Sequence, residues 1–196
     1  YCHMGACYEK MGQYEIGIRY YTKASKIDQL YHQAWFGVGT CLAFKENWLE
    51  ATHFFKKAIK IDPLNEAYLN SLAASEYSLG NSVSAIETYE QLSQLESVKP
   101  VVWLDWSRIY YDQGDYNRAL SVIDRGLSET PDESTYLYRK AVYLLAYGRY
   151  KEAMVFLEQA LILNYDGHAE VYGFFEDLTT QKALFKIIDQ YRKDDH

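Results

Sequence analysis

Five positions, each 34 residues after the last, carry only small residues: Gly5, Gly39, Ala73, Ser107 and Ala141. A second column at the same spacing holds Gly17, Ala51, Ala85, Ala119 and Ala153. Two bulky columns run beside them. One is Tyr21, Phe55, Tyr89, Ile123 and Leu157; the other is Tyr1, Trp35, Leu69, Trp103 and Leu137. Such a period demands a structural unit that meets copies of itself on either side.

The stretch from Trp35 to Pro63 identifies the unit. Trp35, Val38 and Leu42 lie three and four apart, on one side of a helix. Ala51, Phe55, Ala58 and Ile59 do the same on a second helix. The joint between them, Lys45-Glu46-Asn47, has room only for a tight turn, so the helices pack back to back. Gly39 and Ala51 are small where the helices come closest. Asp62-Pro63 ends the second helix, because proline has no amide hydrogen and disfavours a helical residue before it. One hairpin leaves an apolar face uncovered, and stacked copies cover it.

The turns read Gly12-Gln13-Tyr14, Gly114-Asp115-Tyr116 and Gly148-Arg149-Tyr150. With the Trp, Ala, aromatic and Pro columns they resemble the tetratricopeptide repeat. Glu76 and Ser82 depart from that pattern, as does Lys140, and the closing proline is present only as Pro63 and Pro131. The resemblance implies an all-α fold. It would be a right-handed superhelical α-solenoid of about five helix-turn-helix repeats with a C-terminal capping helix pair. The expected boundaries give one array over 1–193: a truncated repeat at 1–31, full repeats at 32–65, 66–99, 100–133 and 134–167, and a cap at 168–193. In the cap, first-helix rhythm is expected over His168–Leu178 and a last helix over Lys182–Arg192, with a frayed Asp194-Asp195-His196.

The net charge of −7 argues against nucleic acid as the main partner, since a phosphate backbone needs a basic stripe. No run of 18 apolar residues occurs, so membrane insertion is not expected. The chain opens without Met, inside a helix already in register, and reads as a piece of a longer one. Its cysteines, Cys2, Cys7 and Cys41, are odd in number, and the first two sit five apart on one predicted helix. Free thiols and a cytoplasmic location are expected.

No catalytic constellation is visible. His3, His32, His53, His168 and His196 stand at no metal-ligand spacing. Gly37 and Gly39 belong to the packing pattern rather than to a phosphate loop, and no nucleophile elbow occurs. A noncatalytic chain without cofactor or metal is expected. Lys23, Lys26, Lys56, Lys57 and Lys60 read as a solvated basic patch on the second helices.

The resemblance places the first helices on the inner, concave wall of the stack. By register their outward positions include Phe36, Thr40 and Phe44, then Asn70 and Tyr77, then Leu104, Arg108 and Tyr111, then Tyr138. Tyr172 and Glu176 extend the row. Tyrosines suit binding, with large area, little rotamer entropy and a hydroxyl at the tip. Curvature of the stack would instead bury some of them, Phe36 and Leu104 first. Arg108 could meet a carboxylate or pair with Asp112, four residues on. Some family members clamp the carboxylate tail of heat-shock chaperones. Here Asn70 and Arg139 stand near the clamp positions, but the lysines are missing and Asp105 takes one place, so that reading is rejected.

The expected function is an interaction scaffold binding a peptide or protein segment in the concave groove. The alternatives are a regulatory or targeting segment of a larger enzyme or signalling protein, and self-association through the exposed first hairpin.

Overall fold

The helices follow the 34-residue period. The computed structural model describes residues 1–95, 98–175 and 177–192. Glu176 and the segment 193–196, which includes Asp194-Asp195-His196, lie outside the described residues. The chain divides into two compact units, Tyr1–Val98 and the chain from Lys99 on.

The first unit contains α1 (Cys2–Lys10), α2 (Tyr14–Ile27), α3 (His32–Phe44), α4 (Trp48–Ile61), α5 (Glu66–Ser78) and α6 (Ser82–Leu92). Each helix packs on the next in sequence, and α3 also touches α1 and α5. The second unit contains α7 (Pro100–Asp112), α8 (Tyr116–Glu129), α9 (Ser134–Ala146) and α10 (Tyr150–Leu163). A 3-10 turn (Tyr165–His168), α11 (Ala169–Tyr172) and α12 (Leu178–Asp189) complete it. Among the described residues all regular structure is helical, a helical-repeat solenoid.

The columns explain the packing. A Cβ on Gly5 would stand 2.8 Å from the Tyr21 ring, and one on Gly39 would stand 2.6 Å from the Phe55 ring. Small residues of a first helix thus seat the bulky residue of the following helix. The second small column closes from the other side: a Cβ on Gly17 would lie 3.4 Å from the Gly5 carbonyl oxygen. The same Cβ would lie 3.1 Å from Sγ of Cys41, whose thiol burial pushes up to about 12. All three cysteines are free.

Five turns share one device. Gly12, Glu46, Gly80, Gly114 and Gly148 adopt positive φ, between 59° and 82°. The amide after each donates to a carbonyl five residues back, as Asn47 does to Leu42 at 3.0 Å and Asp115 to Tyr110 at 2.9 Å. This is the left-handed helix ending that reverses the chain in the fewest residues. Glu46 is the non-glycine exception, and a side chain there carries a steric cost of ~1–2 kcal/mol. Glycine's larger unfolded-state entropy offsets part of the gain. Glu46→Gly is therefore expected to raise stability by about 0.5–1 kcal/mol, read from the urea midpoint at unchanged m.

Two departures from the repeat pattern are internally compensated. The Glu76 side chain is 6% exposed, and Lys56 on α4 reaches it at 2.7 Å. Asn81 donates to its other oxygen at 2.8 Å. Lys140 pairs with Asp124 on α8 at 2.5 Å and lies 4.1 Å from the Phe156 ring centroid. The basic patch is likewise engaged in part: Lys57 lies 4.6 Å from the Trp35 ring centroid.

The end of the chain differs from expectation. First-helix rhythm was expected over His168–Leu178, but helix persists only through Tyr172. The last helix begins at Leu178 rather than Lys182, because Asp177 caps it by accepting the Thr180 amide at 2.6 Å. Gln181 donates to the Phe175 carbonyl at 2.6 Å.

Candidate interaction surface

In the first unit, three helices enclose an open cavity of about 270 Å³. Helix α3 supplies Phe36, Thr40, Ala43 and Phe44; α4 supplies Phe55 and its first residue, Trp48; α5 supplies Ser71, Ala74 and Ser75. Phe36, Thr40 and Phe44 recur every four residues and so line one face of α3. The Phe55 ring forms the floor, 1% exposed, with the Phe36 ring 5.5 Å from it and 4.5 Å from Tyr68. Phe44 is 59% exposed and stacks on Tyr14 at 5.1 Å.

The cavity's hydroxyls are turned onto their own helices. Thr40 donates to the Phe36 carbonyl at 3.1 Å, and Ser75 to the Ser71 carbonyl at 2.9 Å. Their carbon faces remain toward the cavity, which is therefore mainly apolar. Asn70 and Tyr77 on α5 are half-buried and do not line it. The Asn70 Oδ1 atom is closed off from solvent and has no hydrogen-bond partner among the described residues.

The second unit arranges its predicted residues differently. Leu104 is half-buried, and its carbonyl accepts from Arg139 at 3.4 Å. Arg108 is exposed and pairs with Asp112 at 2.8 Å, the second of its two expected uses. Tyr111 stacks on Tyr143 at 4.9 Å. Tyr143 is buried, and its hydroxyl meets the Ser107 hydroxyl at 3.0 Å. Burial pushes the Asp105 carboxyl up, and the Arg139 charge offsets part of that rise. Arg139 thus faces internal groups.

Tyr138 corrects the expected outward row. It is 1% exposed, and its hydroxyl donates to the Asn164 carbonyl at 2.6 Å. The 3-10 turn lays Gly167 against the ring, where a Cβ would stand 2.7 Å away. Tyr138 therefore ties down the exit from α10 and presents no free surface. Tyr172 is half-buried, and its hydroxyl is shut off from solvent with no partner among the described residues.

Sequence reasoning assigned no surface role to Phe174. Its ring centroid lies 4.8 Å from the Arg108 guanidinium carbon and 4.7 Å from that of Arg139. Tyr111 meets it edge-on at 5.5 Å. The available signal was the pair Phe174-Phe175 in a segment with no small-residue column to receive it.

Among the described residues, no three His, Cys, Asp or Glu side chains group to hold a metal. None of the described helices is long and apolar enough to cross a membrane.

Two family profiles, both described as tetratricopeptide repeat, match residues 104–167 and 1–29. The small glutamine-rich tetratricopeptide repeat-containing protein 2 of Mycosarcoma maydis is 31% identical over 85 residues, 43% of this chain and 24% of that protein. The chain thus spans about a quarter of that relative's length. A solved structure of MamA superposes with TM-score 0.73 at 17% identity, covering 85% of this chain and 97% of the other. YrrB, described as a TPR protein with an unusual peptide-binding site, superposes with TM-score 0.66 at 20% identity, covering 92% and 90%.

Proposed function

Since this chain belongs to the tetratricopeptide repeat family, we propose that it is a noncatalytic scaffold holding a peptide or protein segment on its first-helix faces. The carrying observation is the open apolar cavity between α3 and α5, with Phe36 and Phe44 at its wall and mouth. A solvent-facing aromatic such as Phe44 contributes little to the packing of its own hairpin, and it is well placed as a contact. The peptide-binding description of YrrB, a protein of the same fold, supports the reading. Thr40 shares the cavity wall. Asn70 and Tyr77 complete the proposed contacts of the first unit, and Leu104, Arg108, Tyr111 and Tyr172, without Tyr138, are those proposed on the second unit by itself. We further propose five hairpins and a terminal cap as the repeat division. Three free thiols favour a reducing, cytoplasmic setting.

A peptide library selected on the purified chain tests this. The selected peptides should bind Phe44→Ala and Phe36→Ala about tenfold more weakly, an ordinary cost for losing an aromatic contact. Equal affinity for both variants, at unchanged helix content, would remove the cavity from the reading.

A second reading is a regulatory or targeting segment within a larger enzyme or signalling protein. It is motivated by the match to only 24% of the curated relative. A catalytic domain in the complete reading frame would support it, and a frame made of repeats alone would discard it.

A further inference from the structure

We propose that the α7–α9 face of the second unit is a receptor for an aromatic side chain, occupied in cis by Phe174 and open to a partner segment of the same chemistry. This deepens the scaffold reading by naming the ligand class and how access is controlled. It rests on residues other than those of the first-unit cavity.

The seat has braces of its own that do not involve the ring. Asp112 holds Arg108 at 2.8 Å, and the Leu104 carbonyl accepts from Arg139 at 3.4 Å. Tyr111 is braced by its stack on Tyr143. These contacts fix two cations and two aromatic rings around one position. The Phe174 ring lies within 6 Å of both guanidinium carbons, at 4.8 and 4.7 Å. It meets Tyr111 at 87° and Tyr143 at 80°, the edge-to-face arrangement that aromatic quadrupoles favour. A cation over a ring face is attracted by the same quadrupole, so the seat prefers an aromatic ring to an aliphatic chain of equal size.

The occupant is weakly anchored. Phe174 follows α11, which is four residues long and far below the length at which a helix holds itself. The passage from Gly173 to Phe175 continues α11 only as a turn: the Phe174 amide donates to the Val171 carbonyl at 3.3 Å, the Phe175 amide to the Tyr172 carbonyl at 3.2 Å, and Gln181 to the Phe175 carbonyl. A turn closed by two bonds longer than 3.1 Å and one side-chain tie, with no helix or strand carrying it on, opens at low free energy. An incoming aromatic of equal fit then competes with a tethered copy, whose local concentration reduces apparent affinity.

The probe is a fluorescein-labelled, amidated peptide spanning residues 170–179 of this chain, titrated by anisotropy into the full chain. Phe174→Ala should bind it at least tenfold more tightly than the unaltered protein. Adding Arg108→Gln and Arg139→Gln to that variant should return the affinity to the starting level. A peptide with alanine in place of the central phenylalanine pair should not bind. Equal binding by the parent and a folded Phe174→Ala, no binding by either, or equal binding of the alanine peptide would overturn the proposal. If Phe174→Ala loses helix content, Phe174→Leu replaces it, keeping apolar volume without the ring; a gain of about threefold is then expected, and no gain refutes. The measurement uses no natural partner. Phe44→Ala should leave this peptide's affinity unchanged, so failure here and failure of the first-unit cavity are separately visible.

Discussion

Phe55→Ala is expected to lower the unfolding free energy by about 3–5 kcal/mol, the usual cost of emptying a buried aromatic site. The ring is 1% exposed and sits where three parts of the fold meet. It fills the space left by the absent side chain of Gly39, it packs against Phe36, and it floors the cavity. Helices α3 and α4 cannot close on the gap, because the Lys45-Glu46-Asn47 turn and its hydrogen bonds hold their spacing. A partner variant shows whether the contact is direct. In the parent, Gly39→Ala overpacks against the ring, costing ~1–3 kcal/mol, offset by about 1 kcal/mol of helix propensity. In the Phe55→Ala background the clash is gone, so Gly39→Ala should become stabilising. Urea denaturation of the four proteins closes the cycle. Strict additivity would mean that Gly39 and Phe55 do not touch.

Lys56→Met is expected to cost about 2 kcal/mol at neutral pH, because it strips a buried carboxylate of its counter-ion. The loss falls below that of a fully buried pair, since the Lys56 side chain is 60% exposed. Burial pushes the Glu76 carboxyl up, yet the hydrogen bonds from Lys56 and Asn81 and the ammonium charge outweigh it, and the net direction is downward. A carboxyl lowered by folding stabilises fully above the ordinary carboxylate range. That contribution is lost as the pH falls through this range toward the folded value. The parent should therefore lose stability on acidification more steeply than Glu76→Gln does. In Lys56→Met, burial acts with only Asn81 to oppose it, so the gap to the parent should narrow as the pH falls. Thermal melts from pH 7 to pH 3 check both slopes. A constant gap would show that Lys56 does not neutralise Glu76.

Much of this architecture is legible along the chain. Helix ends follow from Gly12, Gly114, Gly148 and Pro63, because a left-handed residue or a proline stops a helix through local sterics alone. The seating of Tyr21 on Gly5 and of Phe55 on Gly39 follows from columns at fixed spacing. Phe36, Thr40 and Phe44 share a cavity because their spacing puts them on one helix face.

Other features depended on distant parts of the fold. Glu76 looks like a misfit in its column until Lys56, twenty residues earlier, is placed beside it. Tyr138 holds an outward position by register, yet the chain leaving α10 returns over it and takes its hydroxyl. Phe174 finds its arginines on two helices far behind it in sequence. Periodicity fixes the angle of a side chain about its own helix axis, and the residues that set it are neighbours in the chain. What covers that angle is set by segments arriving from elsewhere, and their path depends on packing among remote residues. The sequence alone therefore determined the repeating hairpin, and the tertiary structure decided which of its aromatic residues remain open to a partner.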